Sequence, residues 1–234
     1  MPYLVGPTPD HPNPALRRID HLICEVPDIA AAFQHFTEGL GFPAAWPIGR
    51  FWPAALTADV GIGGINLEFI QPDEGVLETA RITTIVFEPV SIEAALSALE
   101  REDLKGNSVE KLESDPGLLA LRGFPPEMTG RTQLICRNVL VDGDVPIPFF
   151  LCAYSERLRE RLDPENPRLA SPHGRVRSIS ARMGDVRLFT RLGYQGEIEI
   201  RGEDQASAPP MVTEIRLETG PLDLQGFPAA FRFS

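Results

Sequence analysis

The sequence predicts an α+β protein assembled from repeated units, in which a β-strand is followed by a helix. One phrase occurs three times, over residues 18–28, 81–91 and 175–185, and aligns without gaps. Each copy is an apolar, strand-like run that ends in Asp or Ser, residue types that cap helices. Strand candidates outnumber helix candidates and most are joined by short turns, which favours antiparallel pairing within each unit.

The first unit reads as a βαβββ module over residues 18–75, after a proline-rich leader at residues 1–17. Its first strand is Ile19–Glu25. Asp28 can then cap a helix whose apolar residues recur at helical spacing, and Gly41 is placed to end it. Glycine-punctuated extended stretches follow, at Ala44–Ile48, Trp52–Val60 and Ile65–Gln71.

The second unit, residues 76–156, repeats this order. Ile82–Phe87 reads as a strand, and a helix follows from Ser91. The remaining strand candidates are Leu118–Leu121, Thr132–Val141 and Ile147–Ala153. Gly123–Pro126 and Asp142–Asp144 read as turns, because proline fixes φ and glycine admits positive φ.

A linker at residues 157–174 leads to a shorter third β-α-β-β unit at residues 175–234. Its predicted elements are a strand at Val176–Ala181, a helix at Asp185–Leu192, and strands at Glu197–Arg201 and Met211–Glu218, with a loop at Gly202–Pro210. Because no single unit can bury both faces of its sheet, adjacent units are expected to pair. The paired modules are expected to form a curved mixed sheet around a cavity.

Composition narrows the class of protein. The hydrophobic fraction of 43% and charged fraction of 24% are typical of a soluble globular protein. A net charge of -11 disfavours nucleic acid and anionic membranes as partners, since both are polyanions. The three cysteines are odd in number and lie in apolar runs, as buried thiols in a reducing compartment do. The leader has no continuous apolar segment, so we expect a cytoplasmic protein without a signal peptide.

His21 is the first candidate for chemistry, because only the first copy of the phrase carries a histidine; Thr84 and Ser178 occupy the matching positions. Alternation along a strand puts His21 on one face with Ile23, and Glu68 faces one side of its own strand. If both strands turn these faces inward, the imidazole and the carboxylate meet. The pair would suit a divalent transition metal or proton transfer. Alternatively, His21 makes a hydrogen bond at a sheet edge and Glu68 is an exposed polar residue.

Several motifs resemble a known superfamily. Asp20-His21-Leu22 opens a strand, Val26-Pro27-Asp28 opens a helix and Leu40-Gly41-Phe42 closes it, and residues 66–70 end the unit. This stretch resembles the first module of the vicinal oxygen chelate superfamily, which includes glyoxalase I, extradiol dioxygenases, and fosfomycin-resistance and bleomycin-binding proteins. Residues 146–151 and 171–174 resemble its glyoxalase-like branch.

The resemblance implies a divalent metal (Fe, Mn, Zn or Ni), no organic cofactor, and His21 and Glu68 as two metal ligands and catalytic residues. The second module departs from the superfamily's pattern. Thr84 stands where a second histidine is expected, and Phe149, Phe150 or Cys152 where a second glutamate is expected. His173 or Glu88 is the candidate third ligand.

Three functions remain open on this basis. A metalloenzyme acting on a small oxygenated organic molecule, by lyase, isomerase or dioxygenase chemistry, is favoured. A metal-free enzyme with His21 or Glu68 as general base, and a protein that only binds a small molecule, are the alternatives. The predicted substrate-binding residues are Arg50, Phe51, Trp52, Thr84, Arg137 and Phe150. A homodimer is plausible, since exposed strand edges are commonly covered.

Overall fold

The first module follows a short strand, β1 (Tyr3–Val5), in the computed structural model, which describes residues 3–6, 11–75, 77–163, 166–203 and 209–222. Asp28 caps its helix, and its side chain accepts a hydrogen bond from the Ala31 amide at 3.1 Å. The module contains β2 (Leu16–Glu25), α1 (Ile29–Gln34), a π-helical turn (His35–Gly39), β3 (Ala44–Trp52), β4 (Ala55–Gly61) and β5 (Asn66–Pro72).

The second module has the same order with two short helices inserted. Ser91 caps its first helix through the Ala94 amide. Its elements are β6 (Arg81–Pro89), α2 (Ile92–Arg101), β7 (Lys105–Glu113), α3 (Pro116–Leu121), α4 (Pro126–Thr129), β8 (Gln133–Asp142) and β9 (Phe149–Tyr154).

The remaining chain forms two short helical segments and the third unit. The helical segments are α5 (Glu156–Arg161) and a 3₁₀ turn (Pro167–Leu169). The third unit comprises β10 (Val176–Arg182), α6 (Arg187–Arg191), β11 (Glu199–Glu203), β12 (Met211–Leu217) and β13 (Gly220–Pro221). The ends of the predicted third unit and loop, residues 223–234 and 204–208, lie outside the described residues.

One mixed sheet runs through all three units in the described part of the chain. Its main path is β1-β11-β10-β12-β6-β2-β5-β4-β3, and β9, β8 and β7 branch from β6. In each module the first strand pairs in parallel with the last, β2 with β5 and β6 with β9. The two first strands, β2 and β6, pair antiparallel and join the modules. This confirms the predicted α+β class and the paired βαβββ modules.

Aromatic side chains form the core beneath this sheet. Phe36 packs against Phe42 and Phe69, with ring centroids 5.8 and 5.0 Å away, behind the first module. Phe87 packs against Phe189 of the third unit at 4.9 Å. These rings are fully buried, and each contributes roughly 1.5–3 kcal/mol by leaving water.

Three stretches of the second module differ from the prediction. Residues 118–121 form the end of helix α3 and not a strand, because Asp115 caps this helix at the Leu118 amide and Pro116 occupies its first turn. Part of the predicted turn at Gly123–Pro126 begins helix α4. Strand β7 was not predicted, since its exposed, polar sequence lacks an apolar alternation; among the described strands it pairs with β8 alone.

Trp52 ends β3 and does not begin the following strand. Residues Tyr3–Val5 of the predicted leader form a strand that pairs with β11. Among the described residues, none of the helices combines the length and apolar character needed to cross a membrane. The cytoplasmic location and the homodimer stay predictions.

Candidate functional site

A small cavity lies between the two modules. The first module contributes His21, Trp46, Phe51, Trp52, Thr57, Asp59 and Glu68, and the second contributes Lys111, Arg122, Ile135, Cys136, Asn138, Phe150, Cys152 and Tyr154. Its volume is about 30 Å³, enough for one or two water molecules. The cavity is therefore nearly filled by its own side chains in this conformation.

A β-bulge brings Asp20 beside His21. Ile19 pairs with Phe87 and His21 pairs with Val86, so β2 has one extra residue, Asp20, where β6 has none. Neighbouring residues of a regular strand face opposite sides, and a bulge re-aims one of them. The Asp20 carboxylate lies 2.6 Å from Nδ1 of His21, and both residues are buried. The bulge thus fixes the orientation of the imidazole.

Glu68 faces the other ring nitrogen of His21. Parallel pairing aligns β2 with β5, which places Glu68 Oε2 3.4 Å from His21 Nε2. Glu68 Oε1 accepts a hydrogen bond from Trp52 Nε1 at 3.3 Å. Nε2 is buried and has no partner in hydrogen-bond geometry among the described residues.

The charges around His21 favour its protonated form. Burial lowers the pKa of His21, but contacts with Asp20 and Glu68 outweigh burial and raise this pKa to about 10. Burial likewise raises the pKa of Glu68, but the His21 contact and the Lys111 charge leave it below its ordinary value. At neutral pH His21 is therefore an imidazolium, and it lies between the side chains of Asp20 and Glu68.

Asp59 is a third buried carboxyl group in the cavity. It pairs across the strands with Glu68 in the β4–β5 register, and its Oδ1 has no hydrogen-bond partner among the described residues. Burial and the Glu68 charge raise the pKa of Asp59 well above its ordinary value. The two neighbouring carboxyl groups are thus driven to opposite protonation states, as in acid–base pairs.

The second module supplies cations to the same cavity. Lys111 Nζ lies 3.9 Å above the Trp52 ring, and the Arg122 guanidinium lies 4.4 Å from the Phe51 ring. Burial lowers the pKa of both groups, most directly by removing water from the charged forms. The Nε of Arg122 is buried without a partner in the described part of the chain.

Three of the predicted substrate-binding residues line the cavity: Phe51, Trp52 and Phe150. Phe150 meets the His21 ring edge-on at 6.0 Å, while Phe149 faces the core against Phe87. The two consecutive phenylalanines therefore face opposite sides of β9, as alternation requires.

The other three lie outside the lining. Arg50 pairs with Asp73 at 2.5 Å and Arg137 with Glu110 at 2.9 Å, both on the exposed surface. Thr84 lies opposite Ile23 in the strand pairing. Side chains of the paired arginines are about half exposed, which does not suit them to orient a ligand in the cavity.

The two candidate third metal ligands are also engaged elsewhere. Glu88 is buried and lies 2.7 Å from Arg18, 3.3 Å from Arg17 and 3.7 Å from Arg159. His173 Nε2 lies 2.8 Å from the Leu40 carbonyl, and neither residue lines the cavity. Glu88 thus neutralises arginines, and His173 ties its turn to the end of the first helical segment.

The donor set does not fit a resident divalent metal. His21 Nε2 and Glu68 are suitable ligands, and Asp20 orients the histidine as outer carboxylates do in metal sites. However, no group of three His, Cys, Asp or Glu residues in the described ranges is arranged to hold a metal ion. Lys111 and Arg122 also share the lining, and their positive charges repel a metal cation.

Asp20, Asp59, Lys111 and Arg122 were not foreseen as site residues. Asp59 had a signal, since an aspartate inside the run Ala58-Asp59-Val60 interrupts an otherwise apolar strand. Asp20 depends on a bulge, and Lys111 lies on the strand that was missed. Neither the bulge at Asp20 nor strand β7 can be recognised from the local sequence pattern.

The resemblance to the vicinal oxygen chelate superfamily is confirmed at the level of fold alone, by solved structures that share little sequence with this chain. A mutant of 4-hydroxymandelate synthase from Streptomyces coelicolor is similar to this chain with a TM-score of 0.55 and 9% identity, over 86% of this chain and 71% of the synthase. A variant of homoprotocatechuate 2,3-dioxygenase from Brevibacterium fuscum gives a TM-score of 0.50 and 13% identity, over 90% of this chain and 59% of the dioxygenase. No protein-family model and no curated protein sequence matches the chain.

Proposed function

We propose that the chain is an enzyme that transfers a proton on a small oxygenated organic molecule, as isomerases, epimerases and some lyases do. One observation carries this proposal. His21 Nε2 and Glu68 Oε2 lie 3.4 Å apart at the wall of a cavity, with His21 held by Asp20 on its far side. The names of the two similar structures, a synthase and a dioxygenase, support a catalytic role for the fold.

The two groups have complementary roles in this proposal. The Glu68 carboxylate removes a proton from carbon next to a carbonyl group, and His21 donates a proton to the carbonyl oxygen. Lys111 and Arg122 stabilise the negative charge that develops on this oxygen, in a site from which most water is excluded. Asp20 is a positioning residue, because it acts through His21.

Substrate entry requires side chains to move. Small-molecule sites usually enclose about 300–1,000 Å³, far more than the cavity provides here. Trp52 and Lys111 are only partly buried and stack on each other. In this proposal their displacement opens the cavity.

Exchange of carbon-bound hydrogen in deuterium oxide tests the proposal. A panel of 2-oxo and 2-hydroxycarbonyl compounds is incubated with the protein and followed by proton NMR. Wild type is expected to accelerate exchange of at least one compound, and Glu68→Gln to slow it by about 10²–10⁴-fold. Glu110→Gln removes the same charge on the surface, where Glu110 pairs with Arg137, and is expected to leave the rate unchanged. Equal rates for wild type and Glu68→Gln would contradict the assignment.

A metal-dependent lyase or dioxygenase with the ion at His21 and Glu68 is the competing proposal. The unpartnered Nε2 of His21 supports it, whereas the missing third ligand and the neighbouring cations weigh against it. Elemental analysis of protein purified without chelator separates the two. One equivalent of divalent metal in wild type that is lost in His21→Ala would overturn the metal-free proposal.

Binding without turnover is a second candidate, and the aromatic lining of the cavity favours it. Trp46, Phe51, Trp52 and Phe150 present apolar rings, which suit a flat or hydrophobic ligand. A ligand that quenches Trp52 fluorescence and is recovered unchanged after long incubation would support this candidate.

A further inference from the structure

We propose that a cleft beside the candidate active site binds the phosphate or carboxylate group of a small molecule. This arginine cleft is bounded by the start of β3, the end of α3, helix α5 and the 3₁₀ turn. Its lining comprises Ala44, Ala45, Arg122, Gly123, Arg157, Glu160, Arg161, Asn166, Arg168 and Leu169. Its volume of about 430 Å³ is within the range of small-molecule sites, about 300–1,000 Å³.

Among the described residues, positive charges outnumber negative charges in the arginine cleft. Four arginines face it and Glu160 is the one carboxylate in its described lining. None of these arginines forms an ion pair with another described residue, whereas Arg50, Arg81, Arg137 and Arg177 each have a carboxylate partner. In a chain with a net charge of -11, such a cluster is unexpected. An anion would neutralise it.

Two of the guanidinium groups, those of Arg157 and Arg161, are held in place by hydrogen bonds to main-chain carbonyls before any ligand binds. Arg161 donates a hydrogen bond to the Ala45 carbonyl at 3.1 Å and lies 5.9 Å from the Trp46 ring. Arg157 donates to the Gly123 carbonyl at 3.3 Å. Gly123 has a φ of 78°, and a Cβ there would lie 1.9 Å from a guanidinium nitrogen of Arg161. The glycine therefore leaves the space that Arg161 occupies.

Arg122 is the most deeply placed of the four. It is 4% exposed, lies 4.4 and 5.3 Å from the Phe51 and Trp46 rings, and its Nε has no partner among the described residues. The arginines also repel one another. Burial lowers the pKa of Arg161, and the positive charges of Arg168 and Arg122 lower it further. Planar guanidinium groups match carboxylate and phosphate oxygens in bidentate geometry.

Arg122 also lines the cavity that contains His21. In this proposal, a ligand that has displaced Trp52 and Lys111 places its anionic group among the arginines and its other end near His21 and Glu68. This link defines the substrate class as a small carbonyl compound that carries a phosphate or carboxylate. This assignment of the substrate class rests on the proposed proton transfer. Anion binding by the arginine cleft does not depend on that proposal.

Calorimetric titration with inorganic phosphate and, separately, malonate tests the cleft without any need for turnover. Wild type is expected to bind at least one of them with a Kd of about 1 mM or lower at low salt, and more weakly as ionic strength rises. Arg161→Gln/Arg168→Gln is expected to weaken binding at least about tenfold, because two charged hydrogen-bond donors are removed. Tighter binding of phosphate indicates that the cleft takes a phosphate group, and tighter binding of malonate indicates that it takes a carboxylate.

Arg137→Gln is the matched control, since it removes a surface arginine that pairs with Glu110. It is expected to bind both anions as wild type does. Arg168→Gln alone, at an exposed position, keeps the test valid if the double variant misfolds. The proposal is overturned if wild type binds neither anion, or if Arg168→Gln and the folded double variant bind as tightly as wild type. Anion binding without hydrogen exchange would leave the cleft standing and refute only the proposed chemistry.

Discussion

Raising the pH above 6.5 is expected to destabilise the protein, because folding holds the proton on His21. Contacts with Asp20 and Glu68 raise the pKa of His21 from 6.5 to about 10 against the opposing effect of burial. A raised pKa means that the stabilisation is fully present below pH 6.5 and is lost as the pH rises through about 10. Over the whole window the loss amounts to about 5 kcal/mol, at about 1.4 kcal/mol per pH unit.

Urea unfolding at a series of pH values measures this loss. Between pH 6.5 and about 8.5, the contribution of His21 to the free energy of unfolding should fall by about 2–3 kcal/mol. Such a fall lowers Tm by about 5–10 °C in a chain of this size. His21→Gln cannot titrate, so its free energy of unfolding should lack this component while other groups contribute equally.

NMR of the imidazole resonances provides a direct check. The chain has four histidines, and the resonance missing from His21→Gln identifies the one of interest. A midpoint near 6.5 for His21 would refute the reasoning. Parallel loss of stability in wild type and His21→Gln between pH 6.5 and 8.5 would refute it independently.

Three further outcomes test the fold. Phe36→Ala should lower the free energy of unfolding by about 3–5 kcal/mol in urea titration, because it empties a fully buried site; a loss below 1 kcal/mol would contradict the packing. Asp28→Ala should cost about 1 kcal/mol by the same measurement, as it removes the cap at the Ala31 amide, whereas Asp28→Asn should cost less. Gly63→Ala should expose the segment near Gly174 to protease, because a Cβ would lie 2.1 Å from the Gly174 carbonyl; cleavage as slow as in wild type would be inconsistent with this contact.

Local sequence patterns predicted most of the fold because the spacing of apolar residues indicates which face of each helix or strand is buried. The predicted caps, Asp28 and Ser91, each precede a helix in the structure. The apolar runs of the repeated phrase form strands. Strand β7 has no such pattern of apolar residues. It pairs with β8 through main-chain hydrogen bonds, and few of its side chains are buried. Residues 118–121 were misjudged because a short apolar run fits a strand or a helix, and the cap at Asp115 decides.

The candidate site was partly predictable for a different reason. His21 and Glu68 come together because the first and last strands of one module pair in parallel. The two residues and the strand order of the module were therefore enough to predict their contact. Asp20 joins them only through a bulge that shifts the register by one residue. Lys111 and Arg122 approach from the other module, and long-range approach of this kind has no signature in local spacing.

The origin of the site groups in separate halves of the chain has an evolutionary consequence. Asp20, His21, Asp59 and Glu68 all belong to the first module, whereas Lys111 and Arg122 belong to the second. If the proposed proton transfer holds, mutations in the second half change which molecules bind and leave the proposed acid–base residues intact. Laboratory selection for new ligands should therefore concentrate its variation in the second module.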